Sequence, residues 1–378
     1  AEEALAGYAR AAGYFGSGAD PEGSIYALTG LCRAHTSQGR LLQAADCLNQ
    51  AADLARKSKL LMSEAVVLND LGTLEFYLGD PGEALKQFER SRAIHQQMGS
   101  LRETVTPLIN ISLCLRNLGR LEAARDTLEH ALALCRADGW RDLESGVLTH
   151  LALAATQRGR PHEAAQRYRE VLRLSDPLAL KERISCLTGL AESMLSVDSV
   201  TAAIGHLEEA LELLSGGSET QQTAYVHGHL GLAYRRLGRP RDALARFQAA
   251  TAIAQRLKQD INAISGMLEE AETYRLLERP DSARLAFLRA AELWEAARAI
   301  PTNPSWREGR GTSGHRLYAG LAFAILDSAR AGPEEGKIPE AFDRLQAYKA
   351  RTLLERMLRP GERLEGQAAA GRRMPASL

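Results

Sequence analysis

Residues 230–250, LGLAYRRLGRPRDALARFQAA, predict two short helices joined by a tight turn. Leu230, Gly231 and Tyr234 fall on one face of the first helix. There the small residue lets a partner helix approach, and the large residues fill the space beside it. Gly238 ends this helix because glycine tolerates a left-handed backbone, and the Arg-Pro-Arg-Asp stretch that follows opens the second helix.

The second helix carries a small-large-small stripe. Ala243, Phe247 and Ala250 lie at i, i+4 and i+7, so they share one face and pack against neighbouring helices on both sides. This stripe is the feature that can be followed along the whole chain.

The same unit recurs about every 40 residues. The small residue of the second helix lies at Ala4, Ala44, Ala84, Ala124, Ala164, Ala203, Ala243 and Ala283, with spacings of 40, 40, 40, 40, 39, 40 and 40. The large residue lies at Tyr8, Leu48, Phe88, Leu128, Tyr168, Leu207, Phe247 and Phe287, and the turn glycine at Gly39, Gly79, Gly119, Gly159 and Gly238. The first helix repeats as Leu31-Cys32, Leu71-Gly72, Ile111-Ser112, Leu151-Ala152, Leu190-Ala191 and Leu230-Gly231, with Glu270-Ala271 the poorest match. A period of this length indicates a solenoid.

These positions resemble the tetratricopeptide repeat (TPR) family over residues 1 to 297. The resemblance implies an all-α, helix-turn-helix solenoid wound as a right-handed superhelix, with a concave groove. The common TPR period is 34 residues. The period of about 40 resembles the longer-helix subclass of kinesin light chains, cell-polarity adaptors and bacterial peptide-sensing regulators.

We expect the array to occupy residues 1–300, as a half repeat followed by seven repeats. Because the chain opens on a second helix, we expect either an upstream extension or a helix that caps the array. A segment rich in Gly, Pro, Ser and Thr predicts a linker at 301–316, a helical hairpin follows at 317–359, and residues 360–378 have the composition of a flexible linker or tail.

The composition excludes several classes of partner and site. Lys plus Arg and Asp plus Glu number 47 each, so no net field favours nucleic acid or an anionic membrane. No apolar run is long enough to span a bilayer. The five cysteines lack CxxC spacing and are interpreted as reduced core thiols of a cytoplasmic protein.

Catalytic motifs are missing from the sequence. It contains no GxxxxGK[ST] loop, no HExxH helix and no strand followed by GxGxxG, so we expect no cofactor, no metal and no enzymatic activity of this chain. His227-Gly228-His229 falls inside the first helix of the best repeat and is interpreted as scaffold.

The candidate binding residues lie on the first helices, pointing away from the packing face. In TPR folds this face lines the concave groove, so the resemblance implies a protein or peptide ligand there. The candidates are Arg33, Asn69, Thr73, Arg116, Glu192, Arg235, Glu272 and Arg275.

Arg235 and Arg275 occupy equivalent positions in adjacent repeats. They should therefore lie within about 10 Å of each other, the separation of packed helices. Two guanidiniums so placed would clamp a carboxylate of an acidic partner by bidentate hydrogen bonds. The alternative is that both are solvated or paired with Glu272.

The final helix, with Ala341-Phe342, Tyr348 to Arg351 and Leu353 to Glu355, resembles the helix that joins bacterial TPR arrays to the CHAT (caspase- and separase-like) peptidase domain. The resemblance implies that the array is the regulatory or targeting part of such a protease, with the peptidase beyond residue 378. The alternatives are the ligand-sensing arm of a bacterial regulator and a plain assembly scaffold.

Overall fold

The computed structural model describes residues 2–15, 20–174, 179–217, 219–298, 310–330, 341–344 and 346. Within these ranges all regular secondary structure is helical. The predicted all-α fold class is confirmed.

The helices alternate along the chain between the first (A) and second (B) helix of each repeat. A single B-type helix, α1 (Glu2–Phe15), comes before the repeats. The A helices are α2 (Pro21–Ser37), α4 (Leu61–Leu78), α6 (Leu101–Asn117), α8 (Arg141–Gln157), α10 (Leu180–Ser196), α12 (Gln221–Arg236) and α14 (Asp260–Leu276). The B helices are α3 (Leu41–Lys57), α5 (Pro81–Gln97), α7 (Leu121–Asp138), α9 (Pro161–Arg173), α11 (Val200–Leu214), α13 (Pro240–Arg256) and α15 (Pro280–Arg298), and the last helix is α16 (Arg310–Arg330).

The chain divides into two compact units, Ala1–His206 and Leu207–Leu378, which are described separately. Within each unit the helices pack chiefly on their neighbours in sequence. This pattern of contacts is that of a repeat array, in which each unit buries its apolar face against the next.

The predicted small-residue position is fully buried in the core. The alanine is 0% exposed in each of the seven repeats, at Ala44, Ala84, Ala124, Ala164, Ala203, Ala243 and Ala283. The large residue four positions later is at most 4% exposed, at Leu48, Phe88, Leu128, Tyr168, Leu207, Phe247 and Phe287. The side chain of Ala4 lies outside the described residues. The register predicted from the spacing is confirmed.

Aromatic residues at the large position each lie against a glycine of an adjacent A-type helix. A Cβ built on Gly72 would lie only 2.9 Å from the Phe88 ring, and a Cβ built on Gly231 only 2.5 Å from the Phe247 ring. The other pairs are Tyr8 with Gly30, Tyr168 with Gly189, and Phe287 with Gly320. The missing side chain makes room for the ring, so the sizes of the two positions are matched.

A left-handed residue separates the A helix from the B helix in every repeat. The predicted turn glycines have φ between 68° and 92°, at Gly39, Gly79, Gly119, Gly159 and Gly238. Asp198 and Glu278 adopt the same conformation, with φ of 60° and 56°. The left-handed conformation also occurs in turns between a B helix and the next A helix, at Lys59, Gly99, Gly139 and Lys258. The sequence analysis did not predict these four positions.

The segment after α15 is partly outside the described residues. Helix α16 begins at Arg310, whereas the sequence analysis placed a linker at 301–316 and the start of the hairpin at Leu317. The Gly, Ser and Thr residues near its start predicted a loop. In the structure they belong to α16, which packs on α15 and α14. Gly320 faces Phe287 as Gly189 faces Tyr168, so α16 packs on α15 as an A helix does on the preceding B helix. Residues 301–309, most of the second helix of the predicted hairpin, and the tail at 360–378 lie outside the described residues.

The glycine-aromatic pairs predict opposite effects for two glycine-to-alanine changes in α12. Gly231→Ala should lower the free energy of unfolding by about 1–3 kcal/mol, because the new methyl group overpacks the Phe247 ring. Gly228→Ala should leave it unchanged or raise it by up to about 1 kcal/mol, because alanine is the better helix former. No atom lies within 4 Å of a Cβ on Gly228. Urea unfolding of the two variants measures both effects, and equal effects would contradict the pairing.

Candidate functional site

The predicted binding residues lie on the A helices of both units. Arg33, Asn69, Thr73, Arg116 and Glu192 belong to the first unit, and Arg235, Glu272 and Arg275 to the second. Arg33 is exposed and the other seven are half-buried.

Asn69 and its neighbours form a polar strip on α4 and α6. Asn110 Nδ2 donates a hydrogen bond of 2.9 Å to Asn69 Oδ1 across the two A helices. Thr73 Oγ1 donates to the Asn69 carbonyl oxygen at 2.9 Å, one helical turn away. Two amides linked side by side present both donors and acceptors, which are the groups that recognise a peptide backbone.

Arg116 continues the polar strip onto α8. Its Nε donates to Gln157 Oε1 at 2.7 Å, and burial lowers the pKa of its guanidinium. His150, half-buried on α8, has a pKa lowered to about 4 by burial, and the Arg116 charge adds to that effect. The side chain of His150 therefore stays neutral at physiological pH.

The remaining candidates of the first unit lie farther along the array. Arg33 partly offsets the effect of burial on Asp70, whose pKa is raised from its ordinary value. Glu192 lies on α10, where its carbonyl oxygen accepts a hydrogen bond of 3.0 Å from Ser196 Oγ.

The three candidates of the second unit are brought together. Arg235, Glu272 and Arg275 line one open cleft of about 420 Å³, together with Leu276 and Arg316. Sequence reasoning placed Arg235 and Arg275 near each other by their equivalent positions and named Glu272 as their alternative partner. It missed Arg316, which is contributed by α16.

Four ion pairs connect the charges of this arginine cleft. Glu269 lies between two guanidiniums, with Arg235 Nη2 at 2.7 Å from Oε2 and Arg316 Nη2 at 2.7 Å from Oε1. Arg275 in contrast faces two carboxylates, Glu272 at 3.2 Å and Asp327 at 3.4 Å. Positive charge is therefore in excess at the Arg235 side of the cleft, where two guanidiniums share one carboxylate.

Two aromatic rings hold the arginines in position. The Arg235 guanidinium lies 5.3 Å from the centre of the Phe247 ring, and that of Arg275 lies 5.9 Å from the Phe323 ring. Contacts of this kind attract a cation to the ring face. Both side chains are thus fixed by a ring as well as by a carboxylate.

Three observations concern metal binding, membrane spanning and the cysteines in the described part of the chain. Its residues contain no group of three or more His, Cys, Asp or Glu side chains placed to hold a metal ion. None of its helices combines the length and the apolar character needed to cross a membrane. The five cysteines are buried and free.

A family model for the tetratricopeptide repeat matches residues 24–97, 103–176 and 183–256, which together are more than half of the chain. The chain belongs to the tetratricopeptide repeat family. Its repeats form a non-catalytic scaffold fold, which confirms the prediction that this chain is not an enzyme. No curated protein matches it in sequence.

Several solved structures share the TPR fold. The apo form of the quorum sensor NprR from B. thuringiensis matches with a TM-score of 0.61 at 13% identity, covering 91% of this chain and 98% of that one. The apo form of RapI matches with a TM-score of 0.59 at 10% identity, covering 77% and 80%. BtubC from P. vanneervenii matches with a TM-score of 0.53 at 20% identity, covering 58% and 93%.

The lowered pKa of His150 predicts how stability depends on pH. Between about pH 6.5 and pH 4 the unfolded chain binds a proton at this residue that the folded chain does not, so the stability from neutral His150 is present above pH 6.5 and is lost as the pH falls toward 4. His150→Asn, which introduces the residue found at the equivalent position 110, should therefore reduce the loss of stability between about pH 7 and about pH 4.5. Urea unfolding at both pH values measures it. His162→Asn, at an exposed histidine of α9, is the control, and an equal change there would refute the prediction.

Proposed function

We propose that the A-helix faces bind an extended peptide or protein segment, and that the arginine cleft of the second unit takes an acidic group of that ligand. The observation that carries the proposal is the single carboxylate of Glu269 shared between Arg235 and Arg316. Two cations that share one anion retain an excess positive charge, and guanidinium donors match carboxylate geometry.

Arg235 and Arg275 differ in their ion pairs, although their sequence positions are equivalent. Arg235 and Arg275 were paired as a clamp because they are equivalent in adjacent repeats. Arg275 already faces Glu272 and Asp327, whereas Arg235 shares the Glu269 carboxylate with Arg316. The proposal therefore assigns the larger share of ligand binding to Arg235 and Arg316, with Arg275 secondary.

The first unit carries a polar surface of its own that suits a peptide. Asn69 and Asn110 offer paired amide groups, and Arg116 lies on the next turns of the same strip. Such groups hydrogen-bond a peptide main chain whatever its sequence, whereas the arginine cleft of the second unit favours a negatively charged group.

The five free, buried cysteines are consistent with a reducing, cytoplasmic location.

The test begins with peptides selected from a random display library on the purified chain. Affinity for a selected peptide should fall at least tenfold in the double variant Arg235→Gln with Arg316→Gln, and the dependence of affinity on salt should weaken. Arg275→Gln should have a smaller effect. Arg256→Gln is the control, because it removes the same charge from an exposed ion pair with Glu219 outside the cleft.

Two results would count against the proposal. Selected peptides without acidic residues, bound equally by the double variant, would remove the arginine cleft from the binding surface. Failure to select any peptide, with the folded state verified by circular dichroism, would remove peptide binding itself and leave the plain assembly scaffold.

A second candidate function is the ligand-sensing arm of a regulator. It is supported by the likeness to a quorum sensor over 91% of this chain, although that likeness by itself concerns the fold. A sensor should respond to a selected peptide with altered hydrogen exchange in repeats away from the contact, whereas a plain scaffold should change only at the contact.

The hypothesis of a CHAT-type peptidase partner is carried by the sequence resemblance alone. The repeat spacing of about 40 residues supports the long-helix subclass of TPR proteins.

A further inference from the structure

A cavity of about 350 Å³ opens between α12 and α14, with α13 as its floor. Its walls include Tyr225 and Gly228 on α12 and Gly266 on α14, and Phe247, Ala250 and Ala254 form the floor. This volume lies at the lower end of the range for ligand pockets, so it suits one large side chain. We call it the Gly228 cavity.

Gly228 keeps this cavity open. Position 228 lies two residues before the buried leucine of its A helix, and the equivalent positions of the other repeats carry Thr29, Asn69, Ile109, Thr149, Thr188 and Leu268. A Cβ on Gly228 would have no heavy atom within 4 Å, so the packing does not require glycine there. Glycine inside a helix costs about 1 kcal/mol relative to alanine. Gly228 therefore weakens α12, and the absence of a side chain at this position leaves the cavity empty.

The lining indicates the chemistry of the occupant. Tyr225 is 49% exposed, and its ring lies 4.3 Å from that of His229, centre to centre, at the wall of the cavity. Phe247 is a third aromatic ring, and it is buried. Four polar residues, Gln221, Asn262, Ser265 and Glu269, also line the cavity. The Glu269 carboxylate already pairs with Arg235 and Arg316, so a donor of the guest would share it with them.

We propose that the Gly228 cavity is a subsite for one aromatic side chain with a hydrogen-bond donor, tryptophan or tyrosine, of a peptide ligand. Aromatic rings favour offset or edge-on contacts with other rings, which Tyr225 and His229 provide. The indole N–H or phenol O–H of the guest finds acceptors on the polar side of the cavity. The inference rests on the proposed peptide-binding function and adds to it a preference for one kind of residue.

The test uses a small neutral probe, N-acetyl-5-fluorotryptophanamide, observed by ¹⁹F NMR with the whole chain. Its resonance should shift and broaden saturably, and an excess of N-acetyl-leucinamide should not displace it. Gly228→Leu fills the cavity and should weaken the binding at least tenfold. Gly205→Leu is the control, because position 205 is an exposed glycine inside α11 whose Cβ would also meet no atom within 4 Å.

A second variant covers the case in which Gly228→Leu fails to fold. Tyr225→Ala removes a half-exposed wall and should weaken probe binding at least threefold. Absence of saturable binding to the wild-type chain, or equal binding to folded Gly228→Leu, would overturn the subsite.

The two proposals fail in different ways. Selected peptides that bind the arginine cleft but are insensitive to Gly228→Leu would reject the subsite and keep the groove. Saturable probe binding that depends on Gly228, with no peptide selected, would keep the cavity as an aromatic site and reject the peptide-binding function.

Discussion

The close approach of helices at one small position is the constraint on which the rest of this structure depends. An alanine that is 0% exposed recurs in every repeat, and no larger side chain fits at such a contact without displacing its neighbour. Because this contact returns every 39 or 40 residues, successive A helices are placed alike, and equivalent residues of neighbouring repeats come to lie side by side. Arg235 and Arg275, which are 40 residues apart, line one cleft as a result of that repetition.

The core could be predicted from sequence because it depends on local size. Ala243, Phe247 and their equivalents are set by the packing of one helix pair, and the same solution is repeated. The turns were predicted only where glycine marks them. Asp198 and Glu278 take the left-handed conformation without glycine, since the helices on both sides fix the backbone and the residue accepts the strain. The start of α16 was missed for the opposite reason, because a composition typical of loops continues a packed helix.

The proximity of Arg235 and Arg275 could be predicted from sequence, because they are equivalent in adjacent repeats, and both line one cleft with Glu272. Pairing with Glu272 was the alternative named from sequence, and Arg275 makes this pair within its own helix. The other ion pairs depend on distances between helices that no periodicity encodes. Glu269 lies on the same helix as Arg275, yet it pairs with arginines of α12 and α16. Arg316 belongs to a helix outside the seven repeats, so the spacing of the repeats does not place it. The Gly228 cavity likewise depends on the spacing of α12 and α14.

Phe247 links the core of the second unit to its surface. Its ring fits against Gly231, where a methyl group would clash, and it lies beneath the Arg235 guanidinium while also forming part of the cavity floor. A ring held in one place restricts the side chain that stacks on it. Immobilising a flexible side chain on binding costs about 0.5–1.5 kcal/mol, and an arginine already held by a ring and a carboxylate loses less of this freedom. Gly231, which lets α12 and α13 approach each other, thereby also restricts the position of the Arg235 guanidinium.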